Sequence, residues 1–271
     1  MTVGIGLLCN HAKNILLCAD MRASYGSASS NDQTGKLFDL PRFFCGVTAG
    51  TTSQCEDVIS ELYHRIDQIP GGDVAPEQIR QSIVDSYHRI YIELSDQALR
   101  SDPRITMEQY WHDHTLATEV RQRAEEVLQD IEVEVDLIVA GFRGQSPIQF
   151  VAEGGKSISV RAEISPGNAV IGSGSMAALN WLNYRKQSYQ LGLAHSLLHL
   201  TEAKQFAEID PTIGPLRQMI LLWPGGFKGL EGGDKLIQGW WHRYGLLLSD
   251  GLENEVHNQN LRETFGIPAP V

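Results

Sequence analysis

The chain has 271 residues, of which 42% are hydrophobic and 20% charged, and a formal net charge of −11. That length buries a full core as one large domain or two, and the acidic balance argues against nucleic acid as a partner, because phosphate binding needs a basic surface. No run approaches the ~18 apolar residues of a membrane span, and Met1 to Asn10 has no basic start or cleavage site of a secretory signal. Cys9, Cys18, Cys45 and Cys55 show no CxxC spacing. They read as buried reduced thiols and not as disulfides or metal ligands, which fits a cytoplasmic protein.

In chain order, 2–9 and 14–20 are two apolar runs separated by the polar NHAK, which predicts a β-hairpin that begins almost at the first residue. A third strand is expected over 43–48. The Thr51, Thr52, Ser53 cluster then caps a helix in which Val58, Ile59, Leu62, Tyr63 and Ile66 recur at helical spacing. Pro76 opens a longer helix carrying Ile79, Ile83, Tyr87, Ile90 and Leu94 on one stripe. The charged stretch 101–130 reads as a partly exposed insertion with a helical cast from 116 to 128. Strands follow at 133–142, 147–152, 157–161 and 169–172, helices from the GSGS at 172–175 and over 193–208, and a strand at 217–223. Strands and helices come in blocks and do not alternate singly, which argues against a doubly wound parallel sheet. The expected class is α+β, a four-layer αββα sandwich of two antiparallel sheets flanked by helix pairs. The domain spans 1–223, and 224–271 is an extension with helical character near 235–248.

Thr2 opens a strand that belongs in the core, and aminopeptidases remove Met before a residue as small as threonine. The freed α-amine has an ordinary pKa near 7.7–8.0, so it can act as base toward its own hydroxyl. Such a site needs a cation beside the hydroxyl, a carboxylate to hold the cation and a backbone N–H for the oxyanion. Asp20, Lys36 and the Ala49-Gly50 pair ahead of a helix are the candidates.

The segments CADMRASYG (18–26), GKLFDL (35–40) and VTAGTT (47–52) resemble the proteasome β-subunit family, with Asp20, Lys36 and Gly50 spaced by 16 and 14 residues as that family has them. VDLIVAGFRG (135–144) and VAEGGK (151–156) are similar to its next strand and turn, Gly172-Ser173-Gly174-Ser175 to its glycine-serine motif, and DPTIG (210–214) to its Asp-x-x-Ser-Gly, with Ile213 where the serine stands. The resemblance implies an N-terminal-nucleophile hydrolase, a threonine-type peptidase. Thr2 would be nucleophile and base, Lys36 would tune it, and Asp20 would pair with Lys36. Ser173 and Asp210 would complete the network around the amine, and Gly50 would supply the oxyanion N–H. It implies no cofactor, a peptide or unfolded-protein substrate, a self-compartmentalising homo-oligomeric ring and room for an ATPase partner. Thr2 stands 18 residues before Asp20, about two more than in the family, so the first hairpin must be longer; otherwise Gly4 would occupy the nucleophile position. The alternatives are an assembly or binding subunit that keeps Met1, and a small-molecule amidase.

Plainer readings stand beside these. Lys36 and Asp20 can be a strand-end ion pair, Ser173 an N-cap and Asp210-Pro211 a helix stop. His195 and His199 have i, i+4 metal spacing but lack the glutamate of HExxH, so an unliganded pair on a helix face is expected. The 112–114 His-Asp-His cluster reads as solvated surface.

Overall fold

A computed structural model of the chain describes residues 2–25, 29–31, 35–230 and 263. The helical character anticipated near 235–248 lies outside the described residues. Strands β1 (Gly4–Cys9) and β2 (Asn14–Asp20) form the opening hairpin, paired without interruption from Gly4↔Ala19 to Cys9↔Asn14. Its turn is unusual. Asn10, His11 and Ala12 all have positive φ (54°, 56° and 63°), a region non-glycine residues rarely enter. The Asn10 and Ala12 amides are held by the carbonyls of Leu191 and Tyr189, which anchor it.

A two-stranded ribbon, β3 (Ala23–Tyr25) and β4 (Ser29–Asn31), precedes β5 (Leu37–Leu40) and β6 (Phe44–Gly50). Helices α1 (Thr52–Asp67) and α2 (Pro76–Ser101) follow, then the shorter α3 (Met107–His112) and α4 (Thr118–Gln129). Next come β7 (Val133–Arg143), β8 (Ser146–Gly155), β9 (Ser159–Ala162) and β10 (Asn168–Ile171). Helices α5 (Ser175–Tyr184) and α6 (Leu193–Ala207) lead to the hairpin of β11 (Arg217–Trp223) and β12 (Gly226–Gly229).

The result is an α+β protein with two five-stranded antiparallel sheets, ordered β10-β1-β2-β11-β12 and β5-β6-β7-β8-β9. Three buried clusters explain why these strands are apolar on both faces. Ile5, Leu7, Leu16 and Cys18 pack with Leu182, Leu197 and Leu200 of α5 and α6. Phe44, Leu137, Val139 and Phe150 pack with Val58, Leu62, Ile79 and Ile83 of α1 and α2. A third cluster joins residues of both sheets: Leu8, Ile15, Leu17 and Ala19 with Cys45, Val47, Ile138, Ala140 and Val151. Residues of β1 and β2 thus contribute one alternate set to each side, which removes the polar alternation a half-exposed strand would show.

Two expectations need correction. The 101–130 segment is two helices, not one. Both lie against the end of α2, where Leu99, Ile105, Met107 and Ala124 make a small core of their own. Thr51 is the N-cap of α1 by position, but its side chain donates to Glu134 Oε2 (2.7 Å) and makes no cap bond.

His195 and His199 are buried in α6 and not displayed on an open face. His199 Nδ1 lies 2.8 Å from Gln187 Oε1, and Gln187 Nε2 donates to Ser196 Oγ at 3.0 Å. Burial, aided by Arg185 and His195, pushes the His199 imidazole down from 6.5 to about 3. A group whose folded pKa is depressed binds its proton more readily when unfolded, so its contribution is whole above about pH 6.5 and drains as pH falls toward 3. We expect stability in urea titrations to drop by roughly 3 kcal/mol between pH 7 and pH 4 from this group alone. His199→Gln, which keeps a neutral donor toward Gln187, should flatten that part of the curve; an unchanged slope would show that His199 is not its source.

Candidate active site

Thr2, Asp20 and Lys36 come together because three strand ends meet. Val3 extends the β1–β2 ladder, its carbonyl accepting from the Asp20 amide at 3.2 Å, which sets Asp20 at the end of β2 beside the start of β1. Lys36 extends the β5–β6 ladder, its carbonyl accepting from Thr48 N at 3.0 Å. All three residues are buried, at 5%, 0% and 7% exposure.

Lys36 Nζ donates to Thr2 Oγ1 at 2.6 Å and to both oxygens of Asp20 at 3.0 and 3.1 Å. The Asp20 carboxylate also accepts from the backbone amides of Val3 (2.9 Å), Arg22 (3.1 Å) and Gly214 (3.3 Å). A buried carboxylate is tolerable only when its lone pairs are satisfied in this way. Burial lowers the Lys36 pKa below its ordinary value, and the Asp20 charge works against that shift.

Thr2 N donates to Ser173 Oγ at 3.2 Å, and Ser173 Oγ lies 3.4 Å from Thr2 O, which also accepts from Gly174 N at 3.2 Å. The plainer reading of Ser173 as an N-cap is therefore set aside: Gly174 holds the cap position of α5, and Ser173 turns to the Thr2 backbone. Two glycines permit this approach. Gly172 has φ +83°, and a Cβ there would sit 2.4 Å from Thr2 O and 3.2 Å from Ala49 Cβ. A Cβ on Gly174 would stand 2.3 Å from Ile213 Cδ1.

Gly4 is not at this position. A side chain on Gly4 would strike Val47 and Ile171 in the core, at 2.6 and 2.8 Å. The residue that lies against Lys36 is Thr2.

Gly50 ends β6 with φ +131°, where a Cβ would meet Glu134 O at 2.0 Å, so only glycine fits. It follows Ala49, the residue that lies against the Gly172 turn. Both hydrogen bonds described for the Asp210 carboxylate run to Thr212, from the amide (2.9 Å) and the hydroxyl (2.6 Å). These donors hold its carboxyl below the usual range and close its own turn. Ile213, where the family has serine, is buried beneath Gly174 with Val3 and Ala207. The amides of Arg22 and Gly214 were not anticipated as partners of Asp20. Separately, a cleft of about 440 Å³ between α2 and residues 154–158, lined by Tyr87, His88, Tyr91 and Lys156, shares no lining residue with this site.

The two members of the buried pair should not be equivalent. Asp20→Asn leaves an ammonium buried without its anion, whereas Lys36→Met leaves a carboxylate that keeps three backbone donors. We expect Asp20→Asn to cost about 3–5 kcal/mol in urea unfolding and Lys36→Met clearly less. Equal costs would mean that the backbone amides contribute little to holding Asp20. No protein-family model matches this sequence and no curated protein matches it significantly, so the functional reading rests on this geometry.

Proposed function

We propose that the chain is an N-terminal-nucleophile hydrolase of the proteasome β-subunit type, with the two sheets stacked as the inner layers of an αββα sandwich. In this reading it is a threonine-type peptidase whose nucleophile is Thr2 after cleavage of the Met1–Thr2 bond. The observation that carries the reading is the 2.6 Å contact from Lys36 Nζ to Thr2 Oγ1, with Asp20 behind the lysine and Ser173 on the Thr2 nitrogen. The layering is supported by the cluster that joins both sheets and by the helix pairs packed against their other sides.

The chemistry follows from the groups present. While Met1 is attached, the Thr2 nitrogen is an amide and has no basic lone pair. Cleavage makes it an amine, which accepts the Thr2 hydroxyl proton while Oγ1 attacks the substrate carbonyl carbon. The Lys36 ammonium stabilises the developing negative charge on Oγ1. A backbone N–H at Gly50 is the candidate donor to the tetrahedral oxyanion. Collapse breaks the C–N bond, the amine group returns the proton to the leaving nitrogen, and water then hydrolyses the ester on Thr2. Substrates are peptides or unfolded segments, and a homo-oligomeric ring would sequester the site.

The intact mass of the purified protein tests the first requirement. We expect a species lacking Met1 that hydrolyses fluorogenic peptides, and at least a ~10³-fold loss of kcat/KM in Thr2→Ala. Retention of Met1, or activity that survives Thr2→Ala, would remove the proposal.

A further inference from the structure

Lys204 is a lysine of α6 with a side chain that is 0% exposed, and the reaction just described makes no use of it. Its ammonium donates to Glu208 Oε1 and to the carbonyl of Gly214, both at 2.5 Å. Gly214 is the residue whose amide donates to Asp20 Oδ2. Burying an ammonium in a helix that could have carried leucine is costly unless the charge is needed where it lies.

The turn it holds is fitted closely to the strand end that carries Asp20. A Cβ on Gly214 would stand 2.6 Å from Arg22 Cβ. Arg22 Nη1 donates to Pro211 O at 2.8 Å, and Met21 N to Leu216 O at 3.1 Å. Residues 211–216 are therefore laid along 20–22, with Lys204 fixing their inner side through the Gly214 carbonyl.

We infer that Lys204 is a positioning residue for this site: it pins Gly214 so that its amide points at Asp20, and through Asp20 it sets the place and charge of Lys36 against Thr2. The inference rests on the assignment of Thr2 as nucleophile for its consequence in catalysis, but not for its effect on Lys36. The charged and titratable groups around Lys36 are Asp20 at the end of β2, Cys55 from α1, Lys204 from α6 and, once Met1 is removed, the Thr2 amine. Those around Lys204 are Glu208, one turn on, and Lys36 itself, whose protonation the Lys204 charge opposes. Burial pushes the Cys55 thiol up, so it is neutral near pH 7.

This arrangement makes two substitutions act in opposite senses. Lys204→Met removes a positive charge and should raise the Lys36 pKa. Glu208→Gln leaves Lys204 in place without its anion and should lower it. The titration of Lys36 in full-length protein, followed by NMR of ¹³C-labelled lysine with Lys36→Arg to assign the signal, reads both shifts without reference to activity. In peptide hydrolysis we expect Lys204→Met to lower kcat by ~10-fold or more with little change in KM, and to move the alkaline limb of the rate profile, where Lys36 loses its proton, to higher pH. Opposite shifts of the Lys36 signal establish the link. Two folded variants with an unmoved Lys36 signal would overturn it, whatever their activity. If Lys204→Met does not fold, the Glu208→Gln titration decides alone: a downward shift supports the inference and no shift rejects it. Absence of hydrolysis in the parent protein, with the opposite NMR shifts intact, would instead count against Thr2 as nucleophile.

Discussion

The rest of the site depends on one buried ion pair. Asp20 and Lys36 are separated from water almost completely, a location in which a charge without partners is costly. Each is retained because the other is present, and because Val3, Arg22 and Gly214 each turn an amide toward the carboxylate. Those donors come from the start of β1, the end of β2 and the turn after α6. The pair is therefore satisfied only when both sheets and the α6–β11 connection are in place, which makes the local electrostatics a consequence of the whole tertiary structure.

Small residues let these elements converge. Gly4 lies where any side chain would collide with Val47 and Ile171, and Gly172 where one would displace the Thr2 carbonyl. The Gly172-Ser173-Gly174 turn then brings a hydroxyl onto the Thr2 backbone. Thr2 is held at its nitrogen and carbonyl by one turn and at its hydroxyl by a lysine from the other sheet. That division keeps the backbone contacts separate from the side-chain contact, so the position of Oγ1 does not depend on the state of the nitrogen.

The strands that carry Asp20 and the helices that flank them were legible in the sequence because apolar runs and periodicity report burial directly. Asp20 and Lys36 were picked out by their spacing, and the structure places their side chains 3.0 Å apart. Less visible was the short β5 after Lys36, whose half-exposed LFDL has a weak apolar signal. The partners of Asp20 were not legible, since a backbone amide carries no residue-type signature and Gly214 lies 194 positions away. Asp210 was read from spacing alone, and Thr212, two residues on, competes for its carboxylate with both an amide and a hydroxyl. A local side-chain turn of that kind forms at small entropic cost.

Ser173 ties the two chemical states of Thr2 together. Its oxygen accepts a hydrogen bond from the Thr2 N–H, and the same hydroxyl faces the Thr2 carbonyl. An amide nitrogen has one N–H to give and no lone pair to spare, so in the uncleaved chain the bond to Ser173 uses all that it offers. A neutral amine has a second N–H and a basic lone pair. It can keep the bond to Ser173 and still turn the lone pair to its own hydroxyl, while Lys36 and Asp20 stay where they are. Under the proposed reading, breaking the bond before Thr2 changes the acid–base character of one nitrogen inside a network already assembled. The cost of organising the site is then met by folding and not by the reaction.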